Sequence, residues 1–194
     1  MAEQPTFYFD LSSPYAYLAA ERIDSVLPVA PRWQPIAFGA LIRARGKVPW
    51  SLDPRTRDGG MREVEERVRD RGLPAVRWPP GWPQRSYSLL PLRAVLAARA
   101  SGRHRELTMA LYRTAFVSGR ALNDPHAVAG AVAEVGLDVD EVMAGAQDPA
   151  IKAELREATD RAQEQGVTGV PTVVVDGRLF WGDDRLEDAA RALA

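Results

Sequence analysis

The stretch that decides the fold lies near the start of the chain and runs Thr6-Phe-Tyr-Phe-Asp-Leu-Ser-Ser-Pro-Tyr-Ala-Tyr-Leu-Ala-Ala-Glu-Arg22. Residues 6–10 predict a short β-strand, because aromatic and β-branched side chains dominate a run too brief for a helix. A helix is predicted to follow, since Ser12 or Ser13 can act as its N-cap and Pro14 suits its first turn. A serine at this place can be a cap and nothing more. It can also help to hold a thiolate, carboxylate or phosphate, because the amino end of a helix favours an anion.

Size and composition limit the classes of protein to which the chain can belong. The chain has 194 residues, of which 46% are hydrophobic and 26% charged, as expected for one globular domain or a domain with an insertion. A net charge of −1 favours neither nucleic acid nor an anionic membrane as a partner. No apolar run approaches the roughly 20 residues that span a bilayer, and no secretory signal precedes the first strand. We therefore expect a cytoplasmic protein that binds a small-molecule substrate.

The chain has no cysteine and two histidines, His104 and His126. The lack of cysteine excludes disulfides, thiolate metal sites and any dithiol redox chemistry carried by the protein itself. The two histidines lie in polar surroundings without a metal-ligand spacing, so we predict that they are surface residues and that no metal is bound.

The middle of the chain, residues 41–162, predicts helices almost throughout. After a short helix at 39–45, the predicted helices cover 61–71, 89–100, 105–118, 125–135, 139–146 and 149–165. Residues 46–60, which include Trp50, predict turns. Residues 73–84 predict a loop rich in proline and tryptophan, in which Trp82 either walls a pocket for a flat apolar ligand or pins the loop to the core.

The two ends of the chain together predict one mixed sheet. The elements predicted there are a helix at 14–27, strands at 32–38, 172–176 and 178–181, and a helix at 185–193. Pro35 indicates an edge strand, and Asp176-Gly177 indicates a hairpin turn. The fold expected is α/β: a thioredoxin-like four-stranded mixed sheet, formed by residues 1–40 and 163–194, with a large all-helical insertion domain at 41–162.

Two motifs resemble the active site of thioredoxin-fold proteins. Val170-Pro171-Thr172 looks like their cis-proline loop, in which the backbone before the proline can pair with an extended peptide. Ser13-Pro14-Tyr15-Ala16 stands where a glutaredoxin-like protein has Cys-Pro-Tyr-Cys, so that serine replaces the nucleophilic cysteine.

The whole pattern resembles the 2-hydroxychromene-2-carboxylate isomerases and the related kappa-class glutathione transferases of the disulfide-oxidoreductase A superfamily. The resemblance covers essentially the full length. Its most specific parts are Phe7-Tyr-Phe-Asp-Leu-Ser-Ser-Pro-Tyr-Ala-Tyr-Leu-Ala19, Gly166-Val-Thr-Gly-Val-Pro-Thr-Val-Val-Val-Asp-Gly177 and Leu179-Phe-Trp-Gly-Asp-Asp-Arg-Leu186.

This resemblance implies a glutathione-dependent isomerase of a conjugated, aromatic-derived acid, and by analogy a homodimer. Ser13 matches the catalytic serine that hydrogen-bonds the sulfur of bound glutathione. The backbone of Val170, before Pro171, would pair with the cysteinyl part of the tripeptide. Asp183 and Asp184 match positions that hold the γ-glutamyl end, and Asp184 is the better candidate because its carboxylate can meet the ligand's ammonium group.

One departure from the family concerns the substrate. Relatives usually carry Gly-Asn before a proline-containing turn, whereas this chain has Gly46-Lys47-Val48-Pro49-Trp50. Lys47 can substitute by binding a carboxylate, with Trp50 and Trp82 as further candidate substrate contacts. Three alternatives stay open: glutathione transfer to an electrophile, a redox-inactive binding protein, and the use of a different low-molecular-weight thiol.

Overall fold

The computed structural model describes residues 4–44, 46–84 and 86–193. The strands are β1 (Thr6–Phe9), β2 (Arg32–Pro35), β3 (Thr172–Val175) and β4 (Arg178–Trp181). The helices are α1 (Pro14–Ala20), α2 (Ile23–Val26), α3 (Phe38–Ala44), α4 (Pro54–Asp70), α5 (Leu89–Ala97), α6 (His104–Phe116), α7 (Pro125–Glu134), α8 (Val139–Gly145), α9 (Pro149–Glu164) and α10 (Leu186–Ala192). Short 3₁₀ helices cover Ala98–Ser101 and Asp183–Arg185. The predicted end of a helix at residue 45 falls outside the described residues.

The four strands form one mixed sheet in the order β2-β1-β3-β4. Strand β1 is parallel to β2 and antiparallel to β3, and β4 is antiparallel to β3. The predicted four-stranded mixed sheet is thereby confirmed. Strand β2 lies at an edge, as Pro35 predicts, because a residue without an N–H is tolerated best where no further strand needs it.

The pairing of β1 with β3 joins the two ends of the sequence. Tyr8 lies opposite Thr172 in the last pair of this antiparallel ladder. The chain leaving β1 towards Ser13 and the chain entering β3 from Pro171 therefore lie at the same end of the sheet.

Strand β1 is buried on both of its faces. Successive side chains of a strand point to opposite faces, so Phe7 and Phe9 join one hydrophobic cluster with Tyr112 of α6. Tyr8 joins a second cluster, in which Ala158 of α9 covers the other face. Helices from the middle of the chain thus share a core with the sheet, and the predicted division into two domains stays a prediction.

The largest departure from the predicted elements is helix α4. It begins at Pro54 and not at residue 61, so the prediction of turns is wrong over residues 54–60. The side chain of Asp53 caps this helix by accepting a hydrogen bond from the Arg55 N–H at 3.0 Å. An aspartate cap followed by proline is a helix-start signal, but two consecutive glycines in the next turns conceal it, because glycine is a poor helix former.

Smaller corrections concern the elements beside β1. The predicted helix at 14–27 divides into α1 and α2, because the Arg22 N–H bonds to the Ala19 carbonyl at 3.0 Å in a tighter turn. The predicted strand at 32–38 ends at Pro35. Phe38 already belongs to α3, and its N–H donates to the carboxylate of Asp10 at 2.9 Å.

A prediction follows for the glycines of α4. A Cβ at Gly60 would overlap the indole ring of Trp50, whereas nothing lies within 4 Å of a Cβ at Gly59. Alanine in place of glycine within a helix stabilises it by about 0.5–1 kcal/mol. We expect Gly59→Ala to raise the free energy of unfolding by about that amount and Gly60→Ala to lower it, as measured by urea denaturation. Equal stabilisation by both would contradict the placement of Trp50 against this helix.

Candidate active site

Ser13 is the N-cap of helix α1. Its Oγ accepts a hydrogen bond from the Ala16 N–H at 3.2 Å, and Pro14 occupies the first turn. The Ser13 N–H in turn donates to the Asp10 carbonyl at 3.0 Å. A main-chain N–H can only donate, so the proton of the Ser13 hydroxyl is left for another acceptor. The cap interpretation and the ligand interpretation of Ser13 are therefore compatible.

Asp10, directly after β1, carries no local sequence signal of a functional residue, and the structure adds it to the site. Its side chain is 1% exposed, and its Oδ1 accepts hydrogen bonds from both the N–H and the hydroxyl of Ser12 at 2.9 Å. Its Oδ2 accepts from the Phe38 N–H at 2.9 Å, and the side chain of Ser88 also bonds to this carboxyl. Burial raises the pKa of Asp10, and these hydrogen bonds act in the opposite direction. Asp10 thus ties the loop before α1 to the start of α3.

The Pro171 loop enters β3 beside the loop before α1. The peptide bond between Val170 and Pro171 is cis, as the resemblance implies. The Pro171 carbonyl accepts from the Gly182 N–H at 3.0 Å, and the Thr172 hydroxyl donates to the Gly169 carbonyl at 2.8 Å. The first bond holds the loop against the turn that carries Asp183 and Asp184, and the second lies within the loop. The sequence-predicted residues Ser13, Val170 and Pro171 therefore lie at one end of the sheet.

The structure distinguishes the two neighbouring aspartates. Asp183 is 1% exposed, and its two oxygens lie 2.5 Å from Arg67 and 2.6 Å from Arg71. The contact with Arg71 is an ion pair without the geometry of a hydrogen bond. The Asp184 side chain is 58% exposed and lies 3.8 Å from Arg67. Because the charge of Asp183 is already neutralised by two guanidinium groups, Asp184 is the carboxylate accessible to a ligand.

Arg67 also connects the active-site helix to α4. It lies 2.5 Å from Glu63 and stacks over the ring of Tyr15, 5.4 Å from its centroid. The Tyr15 hydroxyl donates to Glu63 at 3.0 Å. Burial, followed by this hydrogen bond, raises the pKa of Tyr15. Tyr15 therefore stays neutral at physiological pH, and the sequence offered no signal for its partner in α4.

Aromatic rings continue outward from Tyr15. Its ring centroid lies 5.6 Å from that of Trp50, which lies 5.7 Å from Trp82. The ring centroids of Trp82 and Trp78 lie 4.4 Å apart, and the indole N–H of Trp78 donates to Glu65 at 2.7 Å. The structure thus brings together Trp50 and Trp82, two of the predicted substrate contacts, while Trp78 pins the loop. Lys47, the third, is exposed on the loop that precedes Trp50.

Comparison with known proteins identifies the family. Residues 6–194 match the DSBA-like thioredoxin domain. The chain belongs to this family. A 2-hydroxychromene-2-carboxylate isomerase from Sphingobium xenophagum is 29% identical to this DSBA-like chain, in an alignment of 201 positions that covers 96% of each protein.

Solved structures share the same fold. A 2-hydroxychromene-2-carboxylate isomerase matches with a TM-score of 0.85 at 23% identity, over 98% of this chain and 94% of that one. A probable DsbA oxidoreductase from Streptomyces coelicolor matches with a TM-score of 0.78 at 24% identity, over 100% and 88%. The cytosolic disulfide reductase DsbM from Pseudomonas aeruginosa, solved with GSH, matches with a TM-score of 0.64 at 19% identity, over 98% and 96%. These likenesses confirm the thioredoxin-like fold with inserted helices.

This DSBA-like chain differs from a disulfide oxidoreductase in one respect that the sequence alone establishes. It contains no cysteine, so any thiol at the site must come from a ligand. Within residues 4–44, 46–84 and 86–193, no helix has both the length and the apolarity needed to cross a bilayer.

The ion pairs of Asp183 are expected to contribute to the free energy of unfolding. Asp183→Asn removes the carboxylate that pairs with Arg71 and one of the carboxylates that pair with Arg67, and removing one partner of a largely desolvated ion pair is strongly destabilising. We expect a loss of about 2–4 kcal/mol in the free energy of unfolding, measured by urea denaturation. The exposed neighbour serves as the matched control, since Asp184→Asn should change stability by less than about 0.5 kcal/mol. Similar losses in both variants would contradict the assignment.

The buried carboxyl of Asp10 makes a pH prediction. Because burial raises the pKa of Asp10 above 3.8 in the folded state, ionising it opposes folding. Its contribution to stability is complete below pH 3.8 and is lost as pH rises through the folded pKa. The amide in Asp10→Asn stays neutral, so the stability of the wild type relative to this variant should fall as pH rises above 3.8. A relative stability that rises over this range would show that hydrogen bonding outweighs burial.

Proposed function

We propose that this chain is a thiol-dependent isomerase of a conjugated, aromatic-derived acid, with glutathione as the thiol. The full-length match to a 2-hydroxychromene-2-carboxylate isomerase supports an isomerase enzyme of this kind. The single observation that carries the finer proposal is the free hydroxyl proton of Ser13, placed at the end of the sheet where the Pro171 loop begins.

The chain's own groups suit a bound thiol. The Ser13 hydroxyl can donate to a thiolate, and hydrogen bonds to charged groups contribute about 1.5–3 kcal/mol. The start of α1 adds about 0.3–1 kcal/mol for a negative charge. Together they would lower the pKa of a thiol from about 8.5 towards neutrality. An enzyme without cysteine needs to promote this ionisation, because its thiol comes from a ligand.

Other groups suit the rest of a tripeptide thiol. The backbone of Val170, beside Pro171, can pair with an extended peptide, as strand-adding ligands do. The exposed carboxylate of Asp184 can meet an ammonium group. The fold also supports this choice, since DsbM, a structural neighbour, was solved with GSH.

The remaining groups suit the substrate. Trp50 and Trp82 offer ring faces and edges for a flat conjugated ligand, and Lys47 offers a cation for its carboxylate. When bound, the thiol supplies a nucleophile that adds reversibly to the conjugated acid and leaves again after a former double bond has rotated. The residues of this chain orient the two ligands and exclude water. We extend the proposal to a cytoplasmic homodimer, by analogy with the relatives.

The test of this proposal is the hydroxyl of Ser13. With 2-hydroxychromene-2-carboxylate as substrate and glutathione present, Ser13→Ala should lower kcat on the order of 10- to 100-fold, because a donor to the thiolate is lost. Ser13→Gly is the matched control for helix capping, since glycine caps nearly as well as serine. Equal loss of activity in both variants assigns the effect to the hydroxyl. An unchanged rate in both would remove Ser13 from the mechanism.

The fate of the thiol separates this proposal from its alternatives. An isomerase returns the thiol, so the glutathione concentration should stay constant during turnover. Consumption of glutathione would indicate a transferase. A redox-inactive binding protein would show neither turnover nor a rise in Tm with glutathione or another cellular thiol.

A further inference from the structure

Two adjacent serines present opposite hydrogen-bonding groups. Ser13 Oγ accepts from the Ala16 N–H at 3.2 Å, which leaves its proton to donate. Ser12 Oγ donates to Asp10 Oδ1 at 2.9 Å, which leaves its lone pairs to accept. Ser13 therefore suits an anion, whereas Ser12 suits a group that carries a proton.

The surroundings of Asp10 hold Ser12 in this orientation. The carboxylate is buried, and its two oxygens receive the main-chain N–H groups of Ser12 and Phe38 at 2.9 Å. The side chains of Ser12 and Ser88 also bond to it. An ionised carboxylate can accept all four of these bonds, since its two oxygens offer about four lone-pair positions. Turning the Ser12 proton towards a ligand would leave a buried acceptor with one partner fewer.

Ser12 lines a narrow cavity. Trp82 and Phe116 form apolar parts of its wall, and Ser86 and Ser88 line it with Ser12. Its volume is about 10 Å³, which admits one water-sized group. None of the described residues that line it is charged. A single hydroxyl fits both the size of the cavity and the polarity of these described residues.

We propose that Ser12, oriented by Asp10, accepts a hydrogen bond from a hydroxyl group of the substrate and thereby determines specificity. This inference rests on the proposed function for the class of substrate, a hydroxylated and conjugated aromatic-derived acid. Ser12 touches the substrate, and Asp10 acts through it as a positioning residue. A compound of the same shape without the hydroxyl leaves the acceptor of Ser12 desolvated and unpaired, so it binds more weakly.

The test compares two compounds on the full chain without any thiol. The probes are 2-hydroxychromene-2-carboxylate and chromene-2-carboxylate, which lacks the hydroxyl, and the measurement is Kd by calorimetry. We expect the wild type to prefer the hydroxyl compound on the order of tenfold or more. Ser12→Ala should reduce the preference to about one. It keeps the main-chain bond from Ser12 to Asp10, so the fold should persist.

Two matched variants complete the design. Ser12→Thr restores a hydroxyl at the same place and should restore the preference. Ser86→Ala removes another hydroxyl from the cavity wall and should leave the preference intact. A wild type without preference, an unchanged preference in Ser12→Ala, or a loss confined to Ser86→Ala each overturns the inference.

The binding preference tests the role of Ser12, whereas glutathione-dependent turnover tests the proposed function, so the two hypotheses can fail separately. Equal binding of both compounds with glutathione-dependent turnover would overturn the role of Ser12 and leave the proposed function standing. If Ser12→Ala abolishes the preference but the wild type shows no glutathione-dependent turnover, the role of Ser12 stands and the proposed function is overturned. A wild type that binds neither compound overturns the role of Ser12, and the absence of glutathione-dependent turnover as well would overturn both.

Discussion

The antiparallel pairing of β1 with β3 connects residues that are almost a whole chain length apart. Tyr8 pairs with Thr172, and Thr6 pairs with Val174. Three consequences depend on this ladder. It buries β1 between two hydrophobic clusters, it leaves β2 at an edge, and it brings the loop before α1 to the Pro171 loop. Neither loop carries a complete site alone, since one supplies the serine hydroxyls and the other an extended backbone.

Two buried aspartates border this site, and they are stabilised in different ways. Asp183 meets two guanidinium groups, from Arg67 and Arg71, so its charge is neutralised. Asp10 is held by N–H and O–H donors, and burial raises its pKa. A carboxylate paired with two guanidinium groups is held by the ion pairs themselves. One that relies on hydroxyl donors fixes the direction of those hydroxyls, which is how Asp10 gives Ser12 a defined polarity.

Local signals made part of this arrangement predictable. Ser13 and Pro14 mark the start of α1, and apolar runs mark the strands. The partners of Asp10 and Asp183 could not be predicted in this way. Phe38 and Arg67 come from elements far away in the sequence, and the identity of a long-range partner depends on packing that no local pattern records. The start of α4 was missed for a related reason. Gly60 lowers the local helix propensity. The reason for a glycine here is the ring of Trp50, which packs where a Cβ would lie, and the local sequence does not reveal that contact.

The charge distribution around Ser13 explains how a thiolate could be tolerated there. Tyr15 is the titratable side chain nearest to Ser13 in sequence, and burial together with the hydrogen bond to Glu63 keeps its phenol neutral. The carboxylate of Asp10 lies on the protein side of Ser12, and its lone pairs are engaged by donors. Arg67, stacked on Tyr15, places a cation beside the active-site helix. A negative sulfur bound at Ser13 would therefore meet a hydroxyl donor, and the charge of the nearby Asp10 is already engaged by hydrogen bonds.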